Sequence, residues 1–65
     1  MQGTVKRVIM DKGFGFLTAD GEDIFFHKKD LGRTLDFEPA LVEREVAFEL
    51  TQGLKGLRAV KVQAT

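Results

Sequence analysis

The side chains able to do chemistry in this chain are aromatic and cationic, and they are spaced as strand residues. Lys12-Gly13-Phe14-Gly15-Phe16-Leu17 is followed, across a short connection, by Asp23-Ile24-Phe25-Phe26-His27. Alternate residues of a strand share a face, so Phe14 and Phe16 project to one side while Gly13, Gly15 and Leu17 lie on the other. Glycine at two such positions costs strand stability and marks a sharp bend or a close backbone approach. In the second stretch Ile24 and Phe26 share one face, and Phe25 shares the opposite face with His27. Histidine keeps at least partial solvent access, which assigns Ile24 and Phe26 to the core and Phe25 to the surface. Antiparallel pairing then gathers Phe14, Phe16, Phe25 and His27 into one exposed plate edged by Lys12. An exposed aromatic cluster calls for a partner. Nucleic-acid bases, flat-faced and attached to phosphates, suit it.

Catalysis finds little support. One histidine, no cysteine and no serine remove the usual nucleophile–base pairs, so no enzyme, cofactor or metal is expected. Asp20, Glu22 and Asp23 crowd a hairpin, but their spacing is not that of a cation site. The lack of cysteine is compatible with a reducing cytoplasm, the expected location. No apolar run approaches the roughly 20 residues that span a bilayer, and Met1-Gln2-Gly3-Thr4 does not read as a signal peptide, so no leader is expected. The composition, 43% hydrophobic and 31% charged, is that of a folded chain. Net charge is zero, whereas nucleic-acid-binding domains are often basic. The distribution is less neutral: basic residues flank the aromatic strands, and the acids concentrate in the hairpin tip and in segment 34–50. A dipolar body with one basic face fits that pattern.

The elements that must hold the plate follow from alternation and turn residues. Strands are expected at Thr4–Met10, Phe14–Thr18, Asp23–His27, Glu45–Leu50 and Leu57–Val62, with Asp20-Gly21 as a tight hairpin turn. Between Lys28 and Leu41 alternation disappears, and a long loop with one helical turn is expected. Sixty-five residues make a single domain, 1–65, with a marginal core. Five short strands leave too many edges for an open sheet, so the fold class expected is all-β, a five-stranded antiparallel Greek-key barrel. Its core would draw on Val5, Ile9, Leu17, Ile24, Phe26, Val46, Phe48, Leu50, Val60 and Val62.

At the two aromatic stretches the sequence resembles a cold-shock domain, the five-stranded OB-fold module of bacterial cold-shock proteins and their eukaryotic relatives. Lys12-Gly13-Phe14-Gly15-Phe16-Leu17 matches the first ribonucleoprotein motif of that family, and Asp23-Ile24-Phe25-Phe26-His27 matches the second. Gly3-Thr4-Val5-Lys6 is similar to the family's first strand and Gly53-Leu54-Lys55-Gly56 to its last loop. The resemblance implies that Lys6, Lys12, Phe14, Phe16, Phe25 and His27 contact single-stranded RNA or DNA. Phe37 and Lys55 match family contact positions more loosely. It implies further a monomeric, weakly sequence-selective binder that loosens hairpins as an RNA chaperone or cold-shock-type regulator.

Three departures bear on that expectation. After the first-strand lysine the family usually has Trp-Phe-Asn, where this chain has Arg7-Val8-Ile9. Lys28 stands where an aromatic often follows the motif histidine, and Gly56-Leu57 replaces Gly-Pro. Arg7 can stack its guanidinium on a base and Lys28 can meet a phosphate, so both join the candidate site. The expectation is a smaller plate with more reliance on charge. The alternative is a small β-barrel protein-interaction module with weakened nucleic-acid binding, favoured by the zero net charge and by Val8 and Ile9. Lys29, Arg33, Arg58 and Lys61 read as ordinary surface charges.

Overall fold

A computed structural model describes residues 1–54 and 56–65. Five strands, β1 (Gln2–Ile9), β2 (Phe14–Ala19), β3 (Glu22–His27), β4 (Glu45–Gly53) and β5 (Gly56–Ala64), close into a barrel in the order β1-β2-β3-β5-β4. Four contacts around the barrel are antiparallel; the closing contact of β3 with β5 is parallel, at Phe25 and Arg58. The expected all-β barrel is therefore present, with one parallel seam that strand alternation does not reveal. Two short 3₁₀ turns, Lys28–Asp30 and Pro39–Leu41, punctuate the long loop where one helical turn was expected. Among the described residues no helix is long and apolar enough to cross a membrane.

The β2–β3 hairpin turns on Asp20 and Gly21, with φ of 52° and 80°. Left-handed backbone at both central residues gives the turn whose twist matches that of paired strands, which is why Asp-Gly marks it. Beyond it the register runs unbroken from Ala19–Glu22 to Phe14–His27. Leu17, Ile24 and Phe26 are fully or almost fully buried, joined by Val5, Val46, Phe48 and Val62.

Three expected core residues are not core, and two bulges explain most of the difference. Val5 faces Leu17 but Arg7 faces Phe16, so the register slips at Lys6. The extra residue inverts the parity of the rest of β1. Val8 turns inward against the core, while Ile9, expected inside, sits opposite Phe14 and is only half-buried. The β4–β5 ladder slips between Ala47 and Glu49, and Lys61 takes a φ of 53°. Ala59 and Val62, three residues apart, consequently both point inward, leaving Val60 half-buried. Leu50 keeps its parity, opposite Ala59, yet is 37% exposed. β4 pairs with β1 only as far as Ala47, so Leu50 lies on the part of the ribbon held by β5 alone. Leu35 and Leu41 from the long loop complete the core together with Ala19 and Ala59. Their spacing follows neither strand nor helix period, and for that reason the pattern hid them.

Gly15 is required by a close approach. A Cβ there would collide with the Arg7 carbonyl oxygen and stand 2.9 Å from Cζ of Phe26, the largest fully buried side chain. The missing side chain of β2 is thus the space that the Phe26 ring occupies. Gly15→Ala is expected to lower stability by about 1–3 kcal/mol through overpacking. Thermal unfolding checks this: a domain of this size loses roughly 4–8 °C of midpoint per kcal/mol, and an unchanged midpoint would contradict the account.

Candidate nucleic-acid interface

With glycine and Leu17 facing inward, the outer face of the hairpin belongs to the rings. The Phe14 and Phe25 centroids lie 5.3 Å apart with a 40° tilt, and Phe16 stands edge-on to both, at 6.0 Å from each. None of the three is in the core; each is partly exposed. They line one side of an open groove of about 500 Å³ whose other side is formed by Gly53, Leu54, Gly56, Leu57 and Arg58. Leu54 and Leu57 are exposed on its rim.

Cross-strand register arranges the face in two rows. One runs Arg7, Phe16, Phe25, Arg58 across β1, β2, β3 and β5; the other runs Ile9, Phe14, His27. The bulge at Lys6 is what brings Arg7 onto the plate, beside Phe16. A cation therefore stands at each end of the longer aromatic row.

His27 is held rather than free to swing. Its Nδ1 accepts the backbone N–H of Lys29 at 3.1 Å, capping the 3₁₀ turn, and its own backbone N–H donates to Asp30 Oδ2 at 2.8 Å. Accepting at Nδ1 leaves the proton of the neutral ring on Nε2, where it can donate to a ligand. The same Asp30 carboxylate takes a two-pronged contact from Arg58: Nε to Oδ2 and Nη2 to Oδ1, both 2.9 Å. Asp30 is 8% exposed at its side chain and Arg58 39%. Hydrogen bonding and then charge attraction from Asp30 raise the Arg58 pKa above its ordinary value. A raised pKa means that this contribution is complete below the unfolded value and lost only as pH climbs past the folded one, so Arg58 stays charged throughout the neutral range.

The remaining cations differ in their engagements. Lys6 Nζ reaches Asp23 at 3.3 Å, in a pair whose side chains are 60% and 54% exposed. Such exposed pairs contribute at most about 1 kcal/mol, so a phosphate can compete for Lys6. Lys12 is exposed in the bend before β2. Lys28 donates its backbone N–H to the Gly13 carbonyl at 2.9 Å, and its stem lies 3.2 Å from where a Gly13 Cβ would be. That packing keeps Lys28, itself exposed, beside the start of β2. Phe37 packs half-buried against the core and makes no ring contact with the plate among the described residues. Lys55 lies outside the described residues. Arg58, which reads as a surface charge in sequence, is the residue that sequence reasoning misses. Its neighbour Phe25 is 33 positions away and reached only through the parallel seam.

A five-stranded Greek-key barrel that turns aromatic side chains of β2 and β3 to solvent has the architecture of an OB-fold. Residues 1–65 match the 'Cold-shock' DNA-binding domain. The chain is 45% identical over 65 residues to the cold shock-like protein CspG of Shewanella violacea, covering 95% of this chain and 90% of that protein. It is 39% identical over 62 residues to the major cold shock protein of Streptococcus pyogenes, covering 94% and 91%. In three dimensions it is similar to a structure of Drosophila Unr cold-shock domains, with a TM-score of 0.76 and 25% identity over 98% of this chain, which spans 26% of that one. The chain belongs to the cold-shock domain family, a family of non-enzymatic barrels that bind nucleic acid.

Asp30→Ala tests whether one carboxylate organises both polar ends of the site. It would leave the His27 N–H unpaired and Arg58 unclamped, at a cost of about 1–3 kcal/mol. The Arg58 side-chain Nε–H resonance, protected by its bond to Asp30, should broaden or vanish in NMR spectra of the variant. A sharp, unshifted signal would show that Asp30 does not hold the arginine.

Proposed function

We propose that this chain binds single-stranded RNA or DNA by stacking bases on Phe14, Phe16 and Phe25. The observation that carries the reading is the trio of partly exposed rings within 6.0 Å of one another on one wall of the barrel. Stacking accepts any base because every base has a π-face. In this reading His27 Nε2 donates to a base edge or sugar, and Arg7, Lys12 and Lys28 meet the backbone, with Lys6 exchanging Asp23 for a phosphate. Lys55 belongs to the proposed contacts by its family position, and Phe37 by the same argument with its ring against the core. The chain acts as a single monomeric domain in the cytoplasm, and it loosens RNA hairpins by mass action because it binds only the unpaired strand.

A second reading, a protein-docking barrel, draws on the exposed Leu54 and Leu57 beside the plate and on the zero net charge. Titration of labelled oligo-pyrimidines separates the two. Micromolar or tighter binding that falls with salt supports the first, and no binding at tens of micromolar supports the second.

Phe25→Ala should weaken oligonucleotide binding about fivefold or more, since one base–aromatic stack contributes about 1–3 kcal/mol. The salt dependence should also be steep for so few rings. Each neutralised phosphate adds about 0.7 to the slope of log affinity against log salt for a single strand, so three or four engaged cations give a slope of roughly 2–3. A flat titration would contradict the reliance on charge.

A further inference from the structure

Arg58 differs from the other cations of the interface in being immobilised. Its stem packs over Gly53, where an added Cβ would lie 3.3 Å from Arg58 Cβ. Its Nε–H and one Nη2–H are held by Asp30. Arginine carries five N–H groups in a planar fork and no acceptor. The Asp30 contact uses one edge of that fork. The tip, one N–H from each terminal nitrogen, is left, and Nη1 has no hydrogen-bond partner among the described residues. This tip belongs to a residue paired directly across the seam with Phe25 and lining the same groove.

We propose that Arg58 is a specificity residue of this interface, selecting guanine for the base stacked on Phe25. The inference rests on the single-strand reading above and adds a base identity to it. A donor-only fork matches two adjacent acceptors, and guanine offers O6 and N7 together on an edge that carries no donor. Thymine and uracil alternate acceptor and donor along their pairing edge. Adenine sets an amino group beside N7; cytosine does carry two adjacent acceptors, N3 and O2, on its pairing edge, and is the base against which guanine has to be compared. A loosely held lysine or arginine would serve phosphate and base alike. A guanidinium clamped by a carboxylate loses less freedom when it meets the base edge.

The test walks one dG through an oligo-dT heptamer and measures affinity for the full chain at each register. At one register dG should raise affinity at least about fivefold over dT, the lower end of what a bidentate base contact discriminates, and dC placed there should not; an equal gain with dC overturns the guanine assignment. Replacing that dG by 7-deaza-dG, which lacks only the N7 acceptor, should return affinity to the dT level. In Arg58→Lys and Arg58→Gln the dG-to-dT ratio should fall to about one. Equal affinity for dG, 7-deaza-dG and dT at every register, in a chain that binds oligo-dT, overturns the guanine assignment and leaves stacking intact. Arg58→Gln weakening all sequences alike while reducing the salt slope by about 0.7 also overturns it, by making Arg58 a phosphate contact. Failure of the wild-type chain to bind any of these strands removes the single-strand reading itself. The 7-deaza comparison uses the unaltered protein, so it tests the guanine assignment even if one variant folds poorly, and the second Arg58 variant then assigns the contact to that residue.

Discussion

The structure depends on the approach of the Phe26 ring to the backbone of Gly15. Phe26 fills the barrel at a point where β2 has no side chain, and a methyl group at Gly15 would collide with the Arg7 carbonyl oxygen and crowd that ring. Close-packed interiors do not tolerate an extra atom without displacement. Because that contact sends Phe26 inward, strand alternation sends its neighbour Phe25 outward, and because Gly15 faces inward, Phe14 and Phe16 face outward. The core contact and the exposed plate are two consequences of one parity. A change that relaxed the first would disturb the second, although no residue of the plate had been touched.

Asp30 plays a comparable part among the polar groups. It terminates a 3₁₀ turn, pairs the His27 backbone and clamps Arg58. A largely buried carboxylate is costly unless its lone pairs are filled, and here three N–H donors fill them. The result is a site with a fixed histidine at one end of the aromatic patch and a fixed arginine at its far edge. Arg7, Lys12 and Lys28, all exposed, remain available for the looser demands of a phosphate backbone.

The departures of this chain from the usual family pattern act together. Arg7 stands at the first-strand position where the family usually has an aromatic, and Arg58 of β5 ends the same row, so the row Arg7–Phe16–Phe25–Arg58 carries charge at both ends. With no net charge on the molecule, this local concentration of cations, rather than a uniformly basic surface, is what a nucleic acid would meet.

Alternation and turn chemistry in the two aromatic stretches were enough to assign Phe14, Phe16 and Phe25 outward and Leu17, Ile24 and Phe26 inward. Both strands are regular there, and Asp20-Gly21 sets their register. The five-strand barrel was legible for the same reason: the strand-forming runs and the turns between them are local signals. What the sequence could not carry was anything that depends on an irregularity or on distant partners. The bulges at Lys6 and Lys61 invert parity, so Ile9 and Val60 left the expected core and Val8 and Ala59 turned toward it. Leu35 and Leu41 reach the interior from a loop without a period. The pairing of Arg58 with Phe25 and Asp30 exists only because β3 and β5 meet in parallel across the closing seam. A bulge is a choice between ladders of nearly equal local energy, and a seam is a contact between residues far apart in the chain; both are decided by how the whole barrel closes.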